Sequence, residues 1–218
     1  MADLQNDVLL REIDEDLRHE RYMALWRRFG PVVIAAAVVL IAVVVGYQFW
    51  HARMTEERAQ AAETFAAATR QTPAAAAEAA RTFDSIAKTA PGGYALMARL
   101  REGAAQAESG QRDQAIATFH AIAGDTGVEE TYRNLALVLA AMHEMAGGLR
   151  PQTAVALRAL ADGTSPWRFN ARELLAADLA HAKQADDARA LYSGLASDPA
   201  TPAGIRTRAR DMLAALGG

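Results

Sequence analysis

Between Arg28 and Arg53 the chain carries no charged side chain; it reads FGPVVIAAAVVLIAVVVGYQFWHA. Phe29–Trp50 is 22 residues, and as an α-helix it extends about 33 Å, enough to cross a hydrocarbon core of about 30 Å. A core helix of a soluble protein shows a polar face, and Val32–Val45 shows none. A cleaved signal peptide has an apolar segment of roughly 7–15 residues closed by small residues. This run is longer and closes on Gly46-Tyr47-Gln48-Phe49-Trp50, too bulky for such cleavage. The expectation is a retained transmembrane helix over 29–50, with Phe29, Val33, Ala37, Leu40, Val44, Tyr47 and Trp50 as its membrane-anchoring residues.

The flanks set an orientation. Trp26 at one end, and Tyr47, Phe49 and Trp50 at the other, suit the two headgroup layers. Arg18, Arg21, Arg27 and Arg28 precede the span and Arg53 and Arg58 follow it, four against two. Basic residues near a span favour the cytoplasm, so Arg27 and Arg28 head a cytoplasmic segment 1–28, and the remainder lies on the opposite side. Residues 51–71 then read as a stalk helix and 72–218 as a repeat domain.

Outside the leader and span, residues 51–218 hold 18 basic and 19 acidic groups, so no basic field exists to draw in nucleic acid. Cysteine is absent, which removes disulfides, thiolate nucleophiles and Cys-based metal sites. There is no G-x-G-x-x-G, Walker loop or G-x-S-x-G, and no cofactor is called for. His143-Glu144 opens a zinc-protease-like pattern, but Gly147 stands where the second histidine belongs. His143 reads as a helix-surface residue and His120 as exposed beside the core. Asp186-Asp187 reads as the start of a helix, where carboxylates suit the dipole. No constellation supplies a nucleophile, base and oxyanion partner, so the chain reads as a non-enzyme.

One phrase recurs: FDSIA at Phe83, FHAIA at Phe119, LRALA at Leu157 and YSGLA at Tyr192, spaced by 36, 38 and 35 residues. A period in the thirties signals stacked helical hairpins. In each phrase a large apolar residue is followed three positions later by Ile86, Ile122, Leu160 or Leu195, which places both on one helix face. Four residues before each stand Ala79, Ala115, Thr153 and Ala188; sixteen before stand Ala67, Gly103, Ala141 and Ala176. Small residues on the preceding helix leave room for the large one. Thr72-Pro73, Ser165-Pro166 and Thr201-Pro202 place a capping residue before a proline at a helix start. The expected helices are 2–28, 29–52, 53–71, 74–89, 93–109, 112–123, 128–146, 151–161, 166–182, 185–197 and 202–216, an all-α chain.

These columns resemble tetratricopeptide repeats, in which a small residue, an alanine and an aromatic recur as Gly103, Ala115 and Phe119 do here. The usual Trp, Leu and Tyr of the first helix are replaced by Arg99, Glu102 and Gln106. The whole layout, with its charged N-terminus, single span ending in GYQFWHAR, polar helix and degenerate repeats, resembles the YfgM-type ancillary subunits of the SecYEG translocon. That resemblance implies a bacterial inner-membrane protein, N-terminus cytoplasmic and C-terminal domain periplasmic, with a translocon and a periplasmic chaperone or client polypeptide as partners.

Stacked hairpins line a groove with the first helix of each pair. Tyr94, Arg101, Tyr132, Arg133, Trp167 and Arg168 are therefore the candidate partner-binding residues, aromatic and Arg side chains being favoured anchors. A second reading is an oligomeric scaffold for envelope assembly or cell division, a homo-oligomer joined through Ala59, Ala62, Ala66 and Ala67 of the stalk helix.

Overall fold

The computed structural model describes residues 2–70 and 75–217, so Thr72-Pro73 lies outside the described residues. Among those residues every regular element is a helix: α1 (Ala2–Thr69), α2 (Ala76–Thr89), α3 (Gly93–Glu108), α4 (Arg112–Ala123), α5 (Glu130–Glu144), α6 (Pro151–Asp162), α7 (Arg168–His181), α8 (Ala185–Ser197) and α9 (Ala203–Ala215). The chain divides into two compact units, Met1–Glu56 and Glu57–Gly218.

The three helices expected before residue 72 are one continuous helix, α1. Pro31 sits inside it and removes one backbone donor, which bends or weakens a helix locally without having to end it. Beyond Pro31 no paired Gly or Pro interrupts the run before residue 70. In the first unit, Trp26 and every residue from Phe29 to Trp50 except Gly30 are exposed. Val32–Val45 is thus apolar and uncovered on every side, the character of a surface that meets lipid.

In the second unit α2 to α9 pack consecutively, and α5 also touches α7 as α7 touches α9. Helices α5, α7 and α9 therefore form one wall, as stacked hairpins require. Phe83, Ile86, Gly103, Ala115, Phe119, Ile122, Leu157, Leu160, Tyr192 and Leu195 are all buried. The fit of large on small is direct at Gly103, where an added Cβ would lie 2.7 Å from the Phe119 ring. Ala141 packs with Leu157, and Ala176 with Tyr192, in the same manner. The first repeat shifts by one residue: Ala67 is exposed, and Ala68, 3% exposed, packs with Phe83. Phe65 follows it inward, its ring 5.4 Å from Phe83 and 6.2 Å from Tyr94. The last turns of α1 are therefore built into the repeat core.

Helix starts differ from expectation at two prolines. Ser165 Oγ accepts the Trp167 N–H (3.3 Å) as a cap does, yet regular helix begins at Arg168. At the other, Pro202 is extended and itself precedes the first helical residue, Ala203. Thr201 is pushed one position out of capping reach; its side chain is buried and its hydroxyl makes no hydrogen bond.

Candidate protein-interaction site

Polar residues replace the first-helix Trp, Leu and Tyr of a standard repeat, and each has a polar partner. Arg99 donates to Asp125 (2.7 Å), which with the Gly127 N–H holds that carboxyl below its usual range. Gln106 donates to Glu102 (2.9 Å) and accepts from Thr118 (2.8 Å), so the α3–α4 contact has a hydrogen-bonded edge beside its apolar centre. Burial and the nearby Asp84 push the Glu102 carboxyl up.

His143 is half-buried, its ring stacked on Phe119 at 5.7 Å and 4°. It is not a surface residue, because the α4–α5 contact closes over it, and that burial lowers its pKa. His120 is also not free beside the core: Nε2 lies 2.8 Å from Glu144 Oε1. Glu144, 5% exposed, is buried because the hydrogen bonds of His120, Thr153 and the Arg150 N–H are directed at it. Asp186 and Asp187 lie in the first turn of α8, and Asp186 pairs with Arg189. Among the described residues no group of three His, Asp or Glu side chains is arranged to hold a metal.

Of the six candidate partner-binding residues, the structure brings two together. Tyr94 on α3 and Tyr132 on α5 face one cleft of about 460 Å³, completed by Arg58 of α1, Pro91, Gly92, Gly93 and Met97. Arg101 lines a different cleft with Phe83 and Glu108. Arg133 donates to the Val128 carbonyl (3.1 Å). Trp167 is half-buried against the Leu157–Leu175 cluster, and its Nε1 donates to Thr131 O (3.1 Å). Arg168 lies 4.2 Å over the Phe169 ring and bonds the Thr164 and Ser165 carbonyls. These last three side chains hold loops and hairpins together, which removes them from the cleft. Arg58 and Met97 are the members sequence reasoning missed. Met97 follows Tyr94 by three positions, a spacing that marks one helix face.

Arg27 and Arg28 are exposed, Arg28 5.8 Å from the Phe29 ring centroid; the side chains of Arg18 and Arg21 lie outside the described residues. The fold is that of a helical-repeat protein with, among the described residues, one helix long and apolar enough to cross a membrane. Residues 23–209 match the tetratricopeptide repeat-like domain family, and the chain belongs to it. No curated protein and no solved structure matches the chain.

Proposed function

We propose that this protein is a single-span adaptor of the bacterial inner membrane, with its repeat domain in the periplasm, associated with a SecYEG-type translocon. In this reading the domain receives a periplasmic chaperone or an emerging client polypeptide. The observation that carries it is the Tyr94–Met97–Tyr132 cleft, whose lining comes from α1, α3 and α5 and whose one charge is Arg58. Among the described residues Arg58 makes no salt bridge, so it is available to a partner. Two tyrosines supply broad, stiff contact surfaces of the kind that dominate binding energy. The uncovered apolar span and the arginine bias before it support the location. An anchor raises the local concentration of the domain beside its partner, so a shallow cleft with modest affinity suffices.

Photo-crosslinking in living cells tests this. Probes are placed at Val39 in the span, Gln60 in the last turns of α1 and Met97 in the cleft. Translocon subunits captured from Val39 or Gln60, and a chaperone or nascent chain from Met97, are the expected products. Capture of this chain alone from Val39 and Gln60 would overturn the translocon reading in favour of the oligomeric scaffold.

A further inference from the structure

Three hairpins follow the α1–α2 hairpin, and one of those three is built differently. The α3–α4 and α7–α8 connections have three residues each, 109–111 and 182–184, whereas α5–α6 has six, 145–150. Correspondingly α5 and α6 touch least of any consecutive pair from α2 onward. Polar groups bridge the end of this hairpin. Glu144, the last residue of α5, takes His120 Nε2 of α4 at 2.8 Å and the Thr153 hydroxyl of α6 at 3.1 Å on Oε1. Its Oε2 accepts the Arg150 N–H at 3.0 Å. The preceding N–H, that of Leu149, is accepted by Asp178 Oδ1 of α7 at 2.9 Å. Two carboxylates from alternate helices thus grip successive backbone donors of one strap.

The local chain is shaped for this grip. Gly148 turns the strap with φ +83°, a conformation that disfavours side chains, and a Cβ there would lie 3.6 Å from Asp178 Oδ1 and 3.8 Å from His181 Nδ1. Arg150 precedes α6 with no side-chain cap of its own. Glu144 substitutes for one, since its carboxylate meets the first N–H and the Thr153 hydroxyl where a helix start favours negative charge. The same carboxylate gains nothing from sitting at the end of α5, where the dipole opposes it. Its partners, not its own helix, hold it there.

We infer that the 147–150 strap is a conformational latch: held by Glu144 and Asp178, it fixes the separation of α5 and α7, two adjacent helices of the repeat wall, and its release lets the α2–α5 half swing against the α6–α9 half. The closed state is the one described here. Loss of either carboxylate frees one N–H and leaves the α5–α6 pair held by the apolar cluster of Val138, Ala141, Leu157 and Leu160.

Spin-label distance measurement on the full chain in lipid nanodiscs tests the latch. The chain has no cysteine, so Gln114→Cys on α4 and Ser193→Cys on α8, both exposed, take the only two labels. With the latch intact the expected result is one narrow distance distribution. Glu144→Gln replaces one acceptor oxygen with a donor, and the distribution should broaden or move by more than its own width. Asp178→Asn removes the other grip and should do the same; it carries the test if Glu144→Gln loses its helical circular dichroism. Glu173→Gln breaks the exposed Arg208 pair between α7 and α9 and should leave the distance unchanged. A folded Glu144→Gln or Asp178→Asn chain with the parental distribution would overturn the latch.

Discussion

Gly103 on α3 and Phe119 on α4 fit so closely that a methyl group on Gly103 would come within 2.7 Å of Cε1 and Cζ of the ring. Phe119 is 1% exposed and cannot swing aside, with His143 stacked on it. Phe119→Ala should therefore cost about 3–5 kcal/mol. Gly103→Ala alone should destabilise, because about 1–3 kcal/mol of overpacking outweighs the roughly 1 kcal/mol gained in helix propensity. In the Phe119→Ala background the ring is gone and Gly103→Ala should become stabilising by about 1 kcal/mol. Chemical denaturation of the four chains checks the sign reversal; additive effects would mean the contact is absent.

Two carboxylates, Glu144 buried and Glu102 half-buried, give opposite pH behaviour. Burial alone would raise the Glu144 pKa, but hydrogen bonds from His120, the Arg150 N–H and Thr153 overcome it and hold the group below the usual range. Its stabilising contribution is then full above the ordinary glutamate pKa and is lost as pH falls through the lower folded value. The stability gap between the parent and Glu144→Gln should be constant near neutrality and close in acid. Glu102, pushed up by burial and Asp84, carries the other sign. Its ionised form opposes folding above the raised value, so Glu102→Gln should be neutral or stabilising at pH 7, and the advantage should vanish in acid. Urea midpoints measured from pH 7 to pH 3 check both.

The three-residue turns predict a repair. Gly110 and Lys183 occupy the same place in the α3–α4 and α7–α8 turns, both at positive φ. Gln111 N–H reaches the Gln106 carbonyl at 2.8 Å, and Gln184 N–H reaches that of Leu179 at 2.9 Å. Both are the closing bond of a helix end that prefers glycine at the left-handed position. Lys183→Gly should stabilise the domain by about 1 kcal/mol. A thermal melt that moves down instead would contradict the shared geometry.

The ridges were legible because a large residue and its i+3 partner recur at nearly constant spacing, and the all-α fold follows from them. Glycine marked the end of α4, found at Ala123 as expected, but the helix expected over 128–146 between Gly127 and Gly147 runs only Glu130–Glu144. The Glu144 network was not, for a physical reason: His120, Glu144 and Thr153 come from three different helices, and His120 and Glu144 taken alone suit an exposed helix face. His120 therefore reads as a surface residue, as His143 does without its stacking on Phe119, and the hydrogen bonds that bury Glu144 are visible only in three dimensions. The cleft was half legible. Tyr94 and Tyr132 share it, whereas Trp167 and Arg168 are drawn into local packing by Thr131 and Phe169. The one-residue shift from Ala67 to Ala68 arises because α1 runs unbroken into the repeat core and sets its own register there.

The export reading requires the repeat domain to lie outside the cytoplasm, and protease access to the far end of that domain measures this directly. In spheroplasts prepared without detergent, added protease should remove an epitope placed after Gly218 while a cytoplasmic marker survives. An epitope that stays protected until the membrane is dissolved would place the Tyr94–Tyr132 cleft in the cytoplasm and contradict the export reading.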